Sequence, residues 1–549
     1  MPSYQNYDDS KETEGLLPKI KPRKGKKITF IVFVAIFIVV TFTILSFFGN
    51  NDAKKAKRNV ILMISDGFGP ASETFARSYY QFINNSPYKK VTPLDEILVG
   101  SSRTRSSSSL VTDSAAGATA FSCARKTYNL AIAVDPEKNP CGTVLESAKH
   151  NGMVTGLVVT SRITHATPAA FSAHSVHRDL ESEIAINQIG DYPLGRQVDL
   201  MLGGGRCFFL PNRNESSCRT DDRDVLSDAT NKFGFNFLST RKEFDDLKPS
   251  KQVLPLLGLF TLDHMSYEID RDPAEEPSLK EMVEKAIKIL EDATADSDKG
   301  FFLMIEGSRI DMAAHTNDPA AHVHEILEYH NTITHVKQYV KNHPGTVMIS
   351  VSDHETGGLS LARQISPDYP VYGWYPDVLT KVKSSSFALS EKIVNYSGPD
   401  RTEYIEKLIE NDLGITDYTQ SDIDFLNQRQ HQPNYEAFLA NMTSYRAQLG
   451  WATHGHSAVD VNLYAYGDNV EALYGNHENT DIGDFIVDYL DLDLDAITLI
   501  LNKPPIRDYN TVNEENFLTN NNNRSRDVKV ETGKKREELF QHCDISLPL

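Results

Sequence analysis

The sequence lacks an excess of basic residues, has few cysteines and shows no internal repeat. Its 56 Lys and Arg stand against 75 Asp and Glu, which gives a formal net charge of −19. This balance argues against a nucleic-acid-binding body, because such a body presents a basic surface. The most economical cysteine pairings join Cys207 to Cys218 and Cys123 to Cys141, and they leave Cys543 without a partner.

Apolar residues, in contrast, are plentiful. The chain has 549 residues, of which 40% are hydrophobic, so it can bury a large core and is not globally disordered. Its length allows several domains or one large α/β enzyme body with insertions. Residues 1–58 carry 11 Lys and Arg against five Asp and Glu, and the rest of the chain is strongly acidic. An acidic body fits a site rich in cations, although solubility is the simpler explanation.

A long hydrophobic run stands near the N-terminus. Residues 28–48 contain no charge, and as a helix they would be about 31 Å long, close to the hydrocarbon thickness of a bilayer. A cleaved signal peptide would have a shorter apolar stretch, and a buried core helix would not lie between two basic clusters. Six of residues 19–27 are Lys or Arg, against four of residues 54–58. The positive-inside rule therefore predicts a single-pass type II signal anchor, with residues 1–27 in the cytosol and the body in a lumen.

Lumenal exposure would permit N-glycosylation. Five Asn-x-Ser/Thr sequons occur, and each is only a candidate because such short motifs arise by chance. They lie at Asn84, Asn214, Asn395, Asn441 and Asn523.

From residue 59 onward, short apolar runs alternate with longer amphipathic stretches, which is typical of buried parallel strands separated by helices. The predicted strands are Val60–Ile64, Val154–Val159, Val198–Leu202, Phe301–Ile305 and Val347–Val351, and the clearest predicted helices are Glu276–Glu291 and Ala320–Lys341. We predict an α/β fold over residues 59–505, with a large, mostly parallel central sheet and helices on both faces. Residues 506–549 form a polar tail that we expect to be flexible or trimmed.

Acidic residues follow three of these predicted strands. Asp66 comes after the first, Glu306 ends the fourth, and Asp353-His354 comes after the fifth. In open α/β sheets the carboxyl ends of the strands are where ligands bind. A single Asp there is ordinary, since Asp often begins a turn, but three acids are hard to attribute to turn chemistry.

Further side chains could complete a metal site. Asp311 and His315 are four residues apart, so on a helical turn they point to the same side. His454 and His456 offer two more imidazoles. Mixed carboxylate and imidazole ligands suit Zn²⁺, whereas sets of oxygen ligands favour Mg²⁺ or Ca²⁺. The sequence therefore predicts a metal centre.

A serine and an arginine could act beside such a centre. Ser114 precedes a small-residue segment, Ala115–Ala124, and the N-terminus of a helix favours anions and an alkoxide. Taken alone, this serine fits a simple helix cap. Residues 161–167 follow the Val154–Val159 strand and could supply more ligands, and Arg178 could bind a phosphate through two nitrogens.

Together these residues resemble the alkaline phosphatase family, in particular its fungal, vacuolar-type, membrane-anchored members. The resemblance covers approximately residues 59–505 and rests on motifs that occur in the family's chain order. The motifs are Asp66-Gly67, Asp113-Ser114-Ala115, His165-Ala166-Thr167, Glu306-Gly307-Ser308-Arg309-Ile310-Asp311 with His315, Asp353-His354 and His456.

The resemblance implies two zinc ions and one magnesium ion. Ser114 matches the catalytic nucleophile and Arg178 the phosphate-binding arginine. The implied metal residues are Asp311, His315 and His456 for the first zinc, Asp66, Asp353 and His354 for the second, and Thr167 and Glu306 for the magnesium, with Asp66 bridging and His165 beside that site.

One zinc ligand of this resemblance has two candidates, and two further positions vary within the family. His454 competes with His456 for the last zinc position, and His456 is preferred because Asp460–Gly467 then keeps the family's spacing to its next strand. His165 stands where bacterial members carry Asp and animal members His. Met312 stands where those groups carry Lys or His near the phosphate, and it cannot donate a hydrogen bond.

The function that the resemblance implies is hydrolysis of a broad range of phosphate monoesters, through a covalent phosphoserine at Ser114, with release of inorganic phosphate. It also implies a homodimer in a vacuolar or other acidic lumen, in agreement with the predicted anchor at residues 28–48 and with the charge balance that argues against a nucleic-acid partner. One alternative is a phosphodiesterase or phosphonate hydrolase of the same superfamily, which would lack the magnesium residues. Another is a non-catalytic anchored binding module, which would have lost a ligand or the nucleophile.

Overall fold

The computed structural model describes residues 57–370, 372–428 and 432–503. The predicted cytosolic tail, residues 28–48 and the polar tail from residue 506 lie outside these ranges, as do Cys543 and Asn523. Within the described part of the chain, no helix combines the length and the apolar character needed to cross a membrane.

A ten-stranded sheet runs through the body, in the spatial order β12-β2-β11-β8-β1-β7-β3-β4-β6-β5. Neighbouring strands are parallel except where β11 runs antiparallel to β2 and to β8. This confirms the predicted large, mostly parallel sheet. The strands, including β9 and β10 that pair separately, are β1 Asn59–Ile64, β2 Leu98–Arg103, β3 Val154–Arg162, β4 Leu200–Gly204, β5 Asn236–Leu238, β6 Leu256–Leu259, β7 Phe301–Glu306, β8 Thr346–Val351, β9 Glu355–Thr356, β10 His456–Ser457, β11 Val461–Gly467 and β12 Gly475–Glu478.

Helices cover both faces of this sheet. In β1, Val60 and Leu62 pack into the core on one face, and Ile61 and Met63 pack into the core on the other. A strand buried on both faces must be apolar throughout, which explains the unbroken apolar run. The α-helices are α1 Pro70–Ile83, α2 Ser114–Cys123, α3 Val144–His150, α4 Ala166–Ser172, α5 Glu181–Gln188, α6 Val225–Asn231, α7 Arg241–Asp246, α8 Leu279–Thr294, α9 Arg309–His315, α10 Pro319–Asn342, α11 Ser386–Asn395, α12 Arg401–Leu408, α13 Gln420–Asn427, α14 Gln432–Ala447, α15 Asn479–Leu490 and α16 Leu494–Leu501.

Some predicted boundaries were wrong by two or three residues, for identifiable reasons. Strand β4 begins at Leu200 rather than Val198. Thr155 N of β3 donates a hydrogen bond to the Asp199 carboxylate (3.1 Å), so this N–H does not pair with the backbone of an earlier start of β4. Helix α8 begins at Leu279 rather than Glu276, because the Ser278 side chain caps it by accepting from the backbone N of its third residue.

A helical insertion separates β9 from β10. Helices α11 to α14 pack around their own apolar cluster, which includes Leu389, Ile405, Ile423 and Leu439. The sequence patterns do not predict this insertion as a unit. Because of this insertion, His456 is distant in sequence from the other candidate ligands.

Both predicted cysteine pairs, Cys123–Cys141 and Cys207–Cys218, are disulfide-bonded. The sequon asparagines Asn84, Asn214 and Asn395 are exposed. Asn441 is half-buried instead, and its Oδ1 accepts a hydrogen bond from Arg363 Nη1 (3.0 Å).

Candidate metal centre

Strands β8, β1 and β7 are neighbours in the sheet, so their carboxyl ends meet at one edge. This topology brings together Asp353, Asp66 and Glu306, which directly follow or end those strands. Strand β3 lies beside β7 and is followed by His165, which precedes the first residue of α4, and by Thr167 in the first turn of that helix. Residues spread over three hundred positions thus converge because parallel strands deliver their carboxyl ends to the same side.

The first group consists of Asp311, His315 and His456. Asp311 and His315 lie on the same turn of α9, with His315 Nε2 3.3 Å from Asp311 Oδ2. His456 comes from β10, and its Nε2 lies 3.1 Å from His315 Nε2. Its Nδ1 lies 2.7 Å from the carbonyl oxygen of Thr112, so Nδ1 donates there and Nε2 is left with a free lone pair.

The second group consists of Asp66, Asp353 and His354, all fully buried. His354 Nε2 lies 3.2 Å from Asp353 Oδ2 and 3.5 Å from Asp66 Oδ1. The third group consists of Asp66, His165 and Glu306, and so shares Asp66 with the second. In each group, the candidate ligand atoms lie within 4.8 Å of one another.

The residues of these groups fit bound cations, because several of their buried polar atoms have no hydrogen-bond partner. An unpaired buried polar atom costs free energy, and a metal ion would satisfy it. The donor types also fit, since carboxylate with imidazole suits Zn²⁺ and oxygen donors suit Mg²⁺. The unpartnered oxygen atoms are Asp66 Oδ2, Asp353 Oδ2, Glu306 Oε1 and Thr167 Oγ1.

Crowding of buried carboxylates shapes the electrostatics of the centre. Burial raises the pKa of Glu306 to about 7. Burial and the nearby carboxylate of Asp311 raise the pKa of Asp353 to about 7. Burial, followed by the charge of Asp353, holds the pKa of Asp66 well above its usual range. Divalent cations would oppose these shifts by favouring the ionised carboxylates.

Ser114 lies at the first position of α2 and beside the second group. Its Oγ is 3.1 Å from His354 Nε2 and 3.4 Å from Asp66 Oδ1. Asp113 caps the helix, because its side chain accepts from Ala116 N (3.0 Å). The hydroxyl therefore faces both the candidate ligands and the amide-rich end of a ten-residue helix.

Arg178 is held toward the same place by two side chains. Its Nη1 lies 3.1 Å from Asp113 Oδ2, and its Nη2 lies 3.0 Å from His165 Nε2. This second role of Asp113 is not predicted from the sequence, where Asp113 stands only within the Asp113-Ser114-Ala115 motif. The sequence signal that could have indicated this role is the position of an acidic residue directly before the predicted nucleophile.

The structure groups His456 rather than His454 with Asp311 and His315. In His454 and His315, the ring of each residue instead contacts the backbone carbonyl of the other. His454 Nδ1 lies 2.8 Å from His315 O, and His315 Nδ1 lies 2.5 Å from His454 O. Met312 is half-buried and packs against the small apolar cluster that contains Tyr267.

Comparison with known proteins gives consistent matches. The family model described as alkaline phosphatase matches residues 57–492. The alkaline phosphatase of Schizosaccharomyces pombe is 50% identical over 460 residues, covering 83% of this chain and 85% of the relative. The repressible alkaline phosphatase of Saccharomyces cerevisiae is 47% identical over 490 residues, covering 84% and 86%. The solved cold-active alkaline phosphatase of a psychrophilic Shewanella is 30% identical, with a TM-score of 0.67, covering 79% of this chain and 99% of that one.

Proposed function

This chain belongs to the alkaline phosphatase family and is a phosphate monoester hydrolase, and we propose that it acts through a covalent phosphoserine at Ser114. The observation that carries the proposal is the position of Ser114 Oγ, 3.1 Å from His354 Nε2 at the edge of the second group. A nucleophilic hydroxyl must lie next to whatever activates it.

We propose that the first and second groups each hold one zinc ion, and that Asp66 and Glu306 of the third group, with Thr167, hold one magnesium ion beside His165. The unpartnered carboxylate and hydroxyl oxygen atoms support this assignment. When bound, these cations would lower the pKa of the serine hydroxyl and stabilise negative charge on the phosphoryl and leaving oxygens.

Ser114 then attacks the phosphorus of the ester in line with the leaving oxygen. Ser114 loses its hydroxyl proton to solvent, the bond from Oγ to phosphorus forms while the bond from phosphorus to the alcohol oxygen breaks, and the alcohol leaves with a proton from solvent. Water later attacks the phosphoserine, which releases inorganic phosphate and restores the hydroxyl. The amide groups in the first turn of α2 face negative charge on the reacting phosphoryl group.

Arg178 binds the non-reacting phosphoryl oxygens. Its side chain is only partly exposed (16%) and its guanidinium is held by Asp113 and His165, so it is oriented before substrate arrives. A planar guanidinium can bind two phosphoryl oxygens at once, which orients the phosphorus toward Ser114. Because these contacts go to the phosphoryl group rather than the alcohol, we propose a broad range of monoester substrates.

We propose further that the enzyme is a type II membrane protein of the vacuole, anchored by residues 28–48, glycosylated on its lumenal side and homodimeric. The charge distribution around residues 28–48 supports the topology. Protease added to sealed vesicles should remove residues 1–27 and spare the body, and light scattering of the detergent-solubilised enzyme should give the mass of two chains. Digestion of the body with residues 1–27 protected would contradict the topology.

The Ser114→Ala variant tests the nucleophile. We expect turnover of p-nitrophenyl phosphate to fall by several orders of magnitude, roughly as in other enzymes that lose their nucleophile. Metal content should be unchanged, since the variant keeps every carboxylate and imidazole of the three groups. The matched control is Ser107→Ala, an exposed serine in the preceding loop, which should keep full activity. Full activity of Ser114→Ala would overturn the proposal.

A further inference from the structure

Thr356 is a fully buried residue of β9 that lies outside the three groups of candidate ligands. Its side-chain oxygen contacts two of those groups at once. Thr356 Oγ1 is 2.5 Å from Asp311 Oδ1, in the first group. It is also 3.2 Å from Nδ1 of His354, in the second group.

The direction of these two hydrogen bonds follows from the groups involved. An ionised carboxylate can only accept, so the hydroxyl proton of Thr356 goes to Asp311. The hydroxyl oxygen must then accept from His354, which places the ring proton of His354 on Nδ1. His354 Nε2 is thereby left with a free lone pair, and it is this atom that faces Ser114, Asp66 and Asp353.

The backbone of Thr356 joins the same residue to two further ligand segments. Its N–H donates to the carbonyl oxygen of Gly67 (3.2 Å), next to Asp66. In the short pairing of β9 with β10, Thr356 lies directly opposite His456. Thr356 is therefore in contact with the chain segments of both the first and the second group.

We propose that Thr356 is a positioning residue that orients Asp311 and His354 and makes the two zinc sites retain their ions together. The inference rests on the proposed function, because it takes both groups to be zinc sites. Without the hydroxyl, Asp311 Oδ1 and His354 Nδ1 lose a buried partner. The imidazole is then free to carry its proton on Nε2, where it blocks a metal.

The test compares Thr356→Val, which keeps the shape and removes the hydroxyl, with Thr356→Ser, which keeps the hydroxyl. Each holoenzyme is dialysed against buffers of decreasing free zinc, and the zinc retained per chain is measured by mass spectrometry. In the wild type we expect both zinc ions to be lost over one range of free zinc. In Thr356→Val we expect half-loss at roughly 10- to 100-fold higher free zinc, the usual effect of removing a partner of a metal ligand, and two separate steps.

The control variants distinguish the loss of the Thr356 hydroxyl from a general effect of changing a buried threonine. Thr332→Val removes a buried hydroxyl that donates only to Glu328 O on α10, and it should leave zinc retention unchanged. Thr356→Ser should resemble the wild type. Thr356→Ala serves as a second hydroxyl-free variant if Thr356→Val does not fold, because its smaller side chain cannot clash.

The following results would overturn the inference, and the last of them would also contradict the proposed function. Wild-type zinc retention in Thr356→Val or Thr356→Ala would overturn the inference alone, and so would equal losses in Thr356→Ser and Thr356→Val. A wild-type enzyme that retains no zinc would contradict the proposed function and this inference with it.

Discussion

At the residue scale, Asp66 is shared by the second and third groups and must approach both. The residue after it, Gly67, has a positive φ of 76°. A Cβ atom at Gly67 would lie 2.7 Å from the Cα atom of Asp311, which is closer than real contacts allow. The Asp-Gly pair is therefore required by the close approach of β1 and α9, because only glycine combines this φ with the missing side chain.

The two neighbouring histidines should behave differently on substitution. His456→Ala removes a member of the first group, so we expect it to lose zinc and to lower kcat/KM by more than about 100-fold, beyond the usual effect of an indirect partner. His454→Ala removes the hydrogen bond from its ring to His315 O and no member of the three groups. It should keep both zinc ions per chain and most of the activity. Loss of one zinc from His454→Ala, with His456→Ala unaffected, would reverse the assignment.

At the scale of elements, a disulfide-closed loop supports the Arg178 segment. The loop between Cys123 and Cys141 pairs with that segment, since Ile132 and Ser175 exchange two backbone hydrogen bonds of 2.9 Å. Arg178 N also donates to Leu130 O (2.8 Å). The position of the guanidinium therefore depends on a loop that the disulfide closes.

Removal of either disulfide should lower stability by a similar amount, but only one of the two removals should impair catalysis. The double substitution of Cys123 and Cys141 by Ala should lower the free energy of unfolding by about 3 kcal/mol from loop entropy. It should also lower kcat/KM roughly 10- to 100-fold, since a displacement of about 1 Å at a binding group is costly. The matched control, Cys207 and Cys218 both changed to Ala, should lose similar stability with kcat/KM unchanged. Urea unfolding and steady-state kinetics measure both, and an equal kinetic effect in the two variants would contradict this account.

At the scale of the whole molecule, one buried carboxyl makes stability depend on pH. Glu325 of α10 accepts a hydrogen bond from Glu268 N (2.6 Å). Burial raises its pKa from 4.5 to about 8; the hydrogen bond from Glu268 N and the charge of Arg309 oppose this rise, and the carboxylates of Glu268 and Glu328 add to it. The folded chain thus holds this proton up to about pH 8, whereas the unfolded chain loses it near pH 4.5. The stabilisation is complete below the unfolded pKa and is lost as pH rises through the folded pKa.

Glu325→Gln should therefore flatten the pH dependence of stability. The amide cannot ionise, so the fall in unfolding free energy between about pH 5 and pH 8 should become shallower by up to roughly 1.4 kcal/mol per pH unit. Urea unfolding of the wild type and the variant at several pH values in this range measures the slopes. The exposed Glu391→Gln serves as the control and should match the wild type. Identical slopes in all three proteins would show that Glu325 is ionised in the folded state.

The sequence was sufficient for the central strands and for the residues at their ends, because apolar runs such as Val60–Ile64 followed by acids are local patterns. The antiparallel strand β11 was not predictable in this way, since its pairing with β2 and β8 depends on contacts distant in sequence. The second role of Asp113 and the contacts of Thr356 were also hidden. A single hydroxyl or carboxylate has no periodic pattern, and its partners become visible only in the folded chain.

The most direct test of the central claim is the metal content of the purified full-length enzyme, measured together with hydrolysis of p-nitrophenyl phosphate during metal removal. The account predicts two zinc ions and one magnesium ion per chain. It also predicts loss of activity at alkaline pH as chelator removes them, and recovery when both metals are restored. Undiminished hydrolysis by enzyme from which all metal has been removed would contradict it.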